Sequence, residues 1–296
     1  VRATATDLAS RSTTLRAPQE LVSARPFLKW VGGKRQLFPH IQPLLPQTLA
    51  GRYVEPFVGG GAVFWNYAPG AAVLADWNQE LVNCWTVVRD QVDALMECLK
   101  THVYEKDYYY EVRSVHWESL GPIEAAARTI FLNKTGFNGL YRVNSKGLFN
   151  VPFGRYTRPT ICDETNLPAC SQRLQNVEIK QADFEASLAG LGAGDVAYVD
   201  PPYVPANATS NFTSYTASGF GPQEQQRLSR ALLKLHRRGG RFVLSNADAP
   251  ATWVLYAELF AEDGVSVEQV QARRSVNSKA GRRGRVGEIL AHNTPG

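Results

Sequence analysis

The run Val196-Ala197-Tyr198-Val199 passes directly into Asp200-Pro201-Pro202-Tyr203, and this junction narrows the folds open to the chain. A short apolar run led in by Gly194-Asp195 and stopped by two prolines reads as a strand buried on both faces, because proline has no N–H to give a ladder and ends it abruptly. Asp200 then stands at the carboxyl end of a core strand. In open α/β sheets that edge is where ligands bind, so an acid, a rigid turn and an aromatic ring arrive there as one unit. A carboxylate, a carbonyl beside proline and a flat π-face suit a planar amine such as the exocyclic amino group of a nucleobase. A strand-ending turn whose acid caps the next segment is the plainer alternative.

The same grammar recurs along the chain. Residues 53–58 read as a strand, followed by the Gly59-Gly60-Gly61 turn and a helix-like AVFWNYA, and residues 71–75 make another strand closed by Asp76. From residue 78 to 100, apolar side chains at Leu81, Val82, Trp85, Val88, Val92, Leu95, Met96 and Leu99 recur at the spacing of one amphipathic helix. Further strands are expected at residues 177–181, 241–246, 265–270 and 286–291, with helices over 222–238 and 251–260. Strands alternating with helices through long crossovers predict an α/β chain with a mostly parallel seven-stranded sheet and helices on both faces.

Between these elements the character changes. Residues 133–159 carry glycines at 136, 139, 147 and 154, with Lys134, Arg142, Lys146, Arg155 and Arg158 interleaved with Phe137, Tyr141, Phe149, Phe153 and Tyr156. So basic and aperiodic a segment is expected to lie outside the core, as an inserted recognition region. A second basic stretch, residues 273–285, includes Lys279. The net charge of +5 favours a polyanionic partner, and 296 residues at 44% hydrophobic content can bury one large core or a core with a smaller appendage. Cys84, Cys98, Cys162 and Cys170 show no C-x-x-C spacing, so no metal site is expected and a reducing cytoplasm fits. No stretch approaches the roughly 18 apolar residues of a membrane span, and residues 1–24 read as a loosely ordered arm.

Several signals bear on a ligand. FLKWVGGK at residues 27–34 lacks both the leading glycine and the Ser/Thr of a phosphate loop, which argues against ATP. The turn after Val58 lets backbone approach a ligand at a helix N-terminus, although Phe64 stands where a dinucleotide fingerprint would have glycine. Asp76 suits a pair of ribose hydroxyls, or else caps the following helix. Asp183 with Phe184 could hold and cover an adenine ring, or be an ordinary loop acid.

Taken in order, FLKWVGGK, EPFVGGGAVF, the Asp76 strand end, FNGLYRVNSKGLFNVPFGRY, DPPY and RRSVNSKAGRRGRVGE resemble the Dam-type DNA adenine methyltransferases of the D12, alpha-group family, over roughly residues 26–294. The resemblance implies S-adenosyl-L-methionine as methyl donor and a Rossmann-like catalytic domain over residues 25–103 and 160–296, with a small, mainly helical DNA-recognition insert over 104–159. By this similarity Trp30, Lys34, Asp76 and Asp200 contact the cofactor, with Glu55 and Phe57 of the glycine motif, Gly59, Gly61, Asp183 and Phe184 completing its pocket. Asp200, the Pro202 carbonyl and Tyr203 form the target-base site. Arg142 reads a base, Phe137, Asn138 and Leu140 fill or wedge the stack beside it, Arg155 and Tyr156 touch phosphates, and Asn144, Pro152 and Lys279 complete the DNA-contacting set. Dam-type members usually read GATC, but Phe137 replaces a tyrosine and Tyr141 a cysteine of the enterobacterial enzyme.

The chemistry accounts for these residue types. An aryl amine is a weak nucleophile because its lone pair is delocalised, and two acceptors at its hydrogens would draw that pair out of the ring plane and aim it. A paired base must first be flipped from the duplex, and Tyr203 offers a face on which to stack it. The loop over residues 204–221 would close over the base, or else be an ordinary surface loop. The expected molecule is a monomeric, metal-independent, cytoplasmic enzyme acting on double-stranded DNA, alone or beside a restriction endonuclease. An RNA or protein-glutamine methyltransferase is one rival, and Asp200 in place of that group's commoner asparagine argues against it. A DNA-binding protein of this fold without turnover is the other.

Overall fold

The structure, a computed structural model, describes residues 23–32, 34–203, 220–273 and 285–294. Most of the expected arm, most of the 204–221 loop and Lys279 lie outside the described residues. Seven strands form one sheet: β1 (Tyr53–Glu55), β2 (Ala72–Asp76), β3 (Val177–Gln181), β4 (Val196–Val199), β5 (Arg241–Ala247), β6 (Ser266–Arg273) and β7 (Arg285–His292). Their order is β3-β2-β1-β4-β5-β7-β6, with β1 to β5 parallel and β7 antiparallel to both of its neighbours. Chain order reverses between β1 and β4, which is the crevice where open α/β sheets take ligands.

Eleven α-helices accompany them among the described residues. In chain order these are α1 (Phe38–Ile41), α2 (Ala62–Tyr67), α3 (Gln79–Asp90), α4 (Val92–Lys100), α5 (Lys106–Ser114), α6 (Pro122–Thr135), α7 (Asn166–Leu174), α8 (Phe184–Ala189), α9 (Pro222–Arg237), α10 (Pro250–Leu255) and α11 (Ala257–Phe260). The strands sort their side chains by the period of two. Tyr53, Val196, Tyr198 and Val243 join the core shared with α2, α3, α4 and α7, whereas Val54, Ala197, Val199, Phe242 and Leu244 join the core under α8 and α9. Both faces of the sheet are therefore covered, and β4 is buried along its whole length.

Some sequence expectations are corrected. The helix expected over 78–100 is two, broken at Gln91, whose φ of −139° and ψ of 38° are not helical. The strand expected over 53–58 ends at Glu55, and the helix expected over 251–260 breaks at Tyr256. The basic segment 133–159 is not outside the core. Tyr141, Val143, Phe149 and Val151 are buried with Tyr109, Phe131 and Leu132 in a third cluster, because the polar residues between them face outward along a small hairpin that pairs Val143 with Phe149. The longest helix of residues 104–159 also packs against the sheet's own core, since Ala126, Ala127 and Ile130 of α6 join the first cluster.

Candidate active site

The carboxyl ends of β1, β2 and β4 deliver Glu55, Asp76 and Asp200 to one edge of the sheet. Asp200 is held between two donors. Lys34 Nζ lies 2.8 Å from its Oδ1, and Ser245 Oγ on β5 donates to the same oxygen at 3.2 Å. Burial raises the Asp200 carboxyl above its ordinary range, and the Lys34 ammonium works against that rise. Tyr203 follows the two prolines. Lys34 Nζ sits 4.6 Å from its ring centre, and its hydroxyl donates to Glu288 Oε2 on β7 at 2.5 Å. An acid, a cation and an anchored ring thus share one small volume.

The second expected acceptor is already engaged. The Pro202 carbonyl accepts from Gln225 Nε2 on α9 at 2.7 Å, and Gln225 is itself gripped by Tyr256 Oη and Asn246 Nδ2. A carbonyl oxygen has two lone pairs, so Pro202 is an oriented acceptor with one pair committed, rather than a free one. Glu55 lies beneath this cluster with 2% exposure, accepting from Tyr53 Oη at 2.6 Å. Burial, aided by the nearby Asp200 charge, pushes its carboxyl up to about 8, against the pull of Tyr53 and the Phe64 N–H. It lines the floor rather than the open surface.

Beside Asp200 the glycine turn makes a cradle. Gly59 and Gly61 adopt φ of +48° and +65°, open to glycine but strained for other residues. Added Cβ atoms there would come within 2.7 Å of the Trp30 indole and 2.5 Å of Trp85. Asp76 accepts from the N–H of Gly59 at 3.1 Å and of Asn78 at 2.9 Å, and burial pushes its carboxyl up to about 6. The alternative that Asp76 caps the following helix is corrected: Asn78 caps α3 by accepting from Leu81 N–H, which leaves Asp76 at the mouth of the turn. The Asn78 Nδ2 is buried with no hydrogen-bond partner among the described residues. Asp183 caps α8 through the Glu185 N–H and pairs with Arg227 at 2.9 Å, while Phe57 and Phe184 stack at 5.5 Å with Phe220 edge-on to both.

These features fit a nucleoside-bearing cofactor. A side-chain-free turn, an acid at the second strand end, an orphaned amide donor and an aromatic pair beside a further acid offer one partner for each part of such a molecule. Trp30, by contrast, is turned toward the insert as well as the turn, stacking on Tyr141 at 5.0 Å.

Of the expected DNA-contacting residues, Phe137, Asn138, Arg155 and Tyr156 line, with Phe153, one open groove of about 400 Å³. Phe137 is exposed, and Asn138 holds a φ of +56° at the tip of its turn, with Leu140 half-buried behind. Arg142 is exposed but not loose, since its Nε and Nη2 donate to the Asn150 side chain and carbonyl at 2.7 and 3.2 Å. Asn144 is spent on the hairpin turn, where its Oδ1 accepts from Lys146 and Leu148 N–H. The Pro152 carbonyl takes the Phe137 N–H, and Tyr156 donates to the Gly136 carbonyl beneath Lys29.

Comparison with known proteins decides the family. The model of the D12 class N6 adenine-specific DNA methyltransferases matches residues 30–276. The chain belongs to that family. It is an adenine-specific DNA methyltransferase, and the methyl donor of the family is S-adenosyl-L-methionine. Similar proteins include the type II methyltransferase M1.LlaDCHI of Lactococcus lactis subsp. cremoris, 40% identical over 280 residues, covering 92% of this chain and 96% of that one. The type II methyltransferase M.MjaIII of Methanocaldococcus jannaschii is 40% identical over 282 residues, covering 88% and 96%. The DNA adenine methylase of Escherichia coli K12 is 36% identical over 278 residues, covering 92% and 96%.

Several residues of the methyltransferase escaped the sequence reading. Ser245 and Asn246 follow the apolar run Phe242-Val243-Leu244 inside β5, so that polar pair was a usable signal. Glu288 lay inside the basic tail motif with nothing to mark it. Gln225 and Arg227, on an amphipathic helix, carry no local signal, because only the packing of α9 across the strand ends aims them at Pro202 and Asp183. No helix of the described residues is long and apolar enough to cross a membrane.

Proposed function

We propose that the methyltransferase flips its target adenine out of duplex DNA, holds the amino group against Asp200 and Pro202, and acts within GATC. The observation that carries this reading is the half-buried Asp200 carboxylate at the end of β4, paired with Lys34 and beside the anchored Tyr203 ring. When bound, S-adenosyl-L-methionine supplies an electrophilic sulfonium methyl. Gly59, Gly61, Asp76, Asn78, Phe57 and Phe184 hold it, and Trp30 and Glu55 back that pocket.

The chain's own groups do the rest. Asp200 accepts one amino hydrogen and the remaining lone pair of Pro202 the other, so the nitrogen pair is drawn out of the ring. Lys34 and Ser245 fix the carboxylate before the base arrives, which removes the cost of reorganising it during reaction. Glu288 fixes the Tyr203 hydroxyl and Lys34 covers one face of its ring, so the base stacks on the opposite face, and that contact offsets the few kcal/mol of unstacking. Arg142, pre-aimed by Asn150, reads a guanine from the major groove, while Arg155 and Tyr156 seat phosphates and Phe137 fills the vacated stack. Residues 104–159 act as the recognition unit of a monomeric cytoplasmic enzyme. The type II names of two relatives favour a role beside a restriction endonuclease.

The test is transfer of labelled methyl to duplex DNA by the wild type and Asp200→Ala, followed by digestion with a methylation-sensitive GATC nuclease. Incorporation lost with Asp200→Ala and full protection by the wild type are expected. Equal incorporation by both proteins removes the mechanism, and incorporation without protection removes GATC alone.

A further inference from the structure

Tyr141 belongs to two sites at once. It directly precedes Arg142 on the recognition hairpin, and its ring is wedged between the Trp30 indole, stacked at 5.0 Å and 24°, and the edge of Phe149 at 5.7 Å. Trp30 in turn backs the glycine turn so closely that a Cβ on Gly59 or Gly60 would meet it at 2.7 or 3.0 Å. The cofactor cradle and the base-reading hairpin are therefore separated by two stacked rings.

The hydroxyl makes a second tie. Tyr141 Oη donates to Glu80 Oε2 at 2.7 Å, while Glu80 Oε1 receives Arg128 Nη1 at 3.0 Å and Thr129 Oγ1 at 2.5 Å. Glu80 and Arg128 are 3% and 4% exposed, so each donor on this buried carboxylate is hard to replace. Glu80 lies in the first turn of α3, directly after the Asp76 strand end and the Asn78 cap with its orphaned amide. Displacing the hairpin thus shifts both walls of the cradle, the Trp30 side through the ring stack and the α3 side through the carboxylate.

We propose that Tyr141 is a positioning residue that couples sequence reading to cofactor binding, so that occupation of either site by its correct ligand favours the other. The inference rests on the cofactor and DNA sites assigned above. Because coupling between two ligands is reciprocal, it has a signature that a merely structural tyrosine lacks.

The experiment measures the affinity for S-adenosylhomocysteine by calorimetry, alone, with the duplex the enzyme methylates fastest, and with that duplex scrambled at its site. The wild type is expected to bind the thioether about 5-fold or more tightly with the correct duplex, and its affinity for that duplex to rise by the same factor when the thioether is present. Tyr141→Phe keeps the ring stack and loses the Glu80 bond, and is expected to bring the factor toward one while binding each ligand alone nearly as the wild type does. Tyr141→Leu removes both ties and is expected to abolish the coupling. A wild-type factor of one, or a factor retained in both variants, overturns the proposal. Failure of the underlying reading would show differently, as methyl transfer by Asp200→Ala equal to that of the wild type, because coupling is read from binding alone.

Discussion

Lys34 and Asp200 form an ion pair of 2.8 Å in which the lysine side chain is only 4% exposed. Nothing on Lys34 is idle: the same ammonium donates to the Gly32 carbonyl at 2.6 Å and faces the Tyr203 ring. It is the largest influence opposing the burial that raises the Asp200 carboxyl. Lys34→Met should therefore let Asp200 keep its proton to higher pH, moving the acid limb of the rate profile upward. Stranding a buried charge should also cost on the order of 3 kcal/mol of stability. Methyl-transfer rates across pH 5 to 9, with urea denaturation at neutral pH, check both, and an unmoved acid limb would refute Lys34 as the charge partner.

Gly61 predicts a local failure. Its φ of +65° and the 2.5 Å approach of Trp85 to an added Cβ leave no room for a side chain. Gly61→Ala is expected to destabilise the fold by about 1 to 3 kcal/mol and to weaken cofactor binding more than DNA binding. Gly70→Ala, in open space, is the matched control. If the two variants lose cofactor affinity alike, the turn is not a cradle.

Glu55 gives a pH dependence with a defined sign. Its carboxyl, ordinarily near 4.5, is pushed up to about 8 in the folded protein. Between those values the native state holds a proton that the unfolded chain has released, so the stability from this group is full below the lower value and falls as pH rises toward the upper one. The whole excursion is worth on the order of 5 kcal/mol. Glu55→Gln cannot titrate, so its stability should fall less steeply from pH 5 to 8 than that of the wild type. Parallel curves in urea melts at these pH values would show that Glu55 is ionised when buried.

The proposed recognition residues should divide into reading and seating. Arg142→Ala should relax preference at a single base position by about 1 to 3 kcal/mol, whereas Arg155→Ala should weaken all sequences alike and flatten the salt slope by about one unit. Asn150→Ala, which frees the Arg142 guanidinium, should fall between wild type and Arg142→Ala in discrimination. Competition binding on single-substitution duplexes at two salt concentrations separates these outcomes. Identical profiles for the two arginine variants would contradict the division.

The strand ends were readable because a strand that must stop announces it. Asp200 before two prolines and Asp76 after an apolar run are local signals, and both acids stand at the sheet edge. What the sequence concealed depends on contacts between distant segments. Gln225 meets Pro202 only because α9 crosses the strand ends, and the Ser245 hydroxyl reaches Asp200 only because β5 lies beside β4. The insert misled for a related reason. Its hairpin buries Tyr141, Val143 and Phe149 among charged neighbours, so its apolar pattern is too short and too interrupted to stand out as a strand.

The strands flanking the crevice are β1 and β4, which pair Tyr53 with Val196 across nearly half of the chain's length. During synthesis the glycine turn therefore emerges long before the aspartate it works beside, and the growing polypeptide has no working centre until that late pairing is made. Partial translation products are expected to be inert toward the genome, and folding of this enzyme is expected to be paced by closing that long loop rather than by forming any one helix.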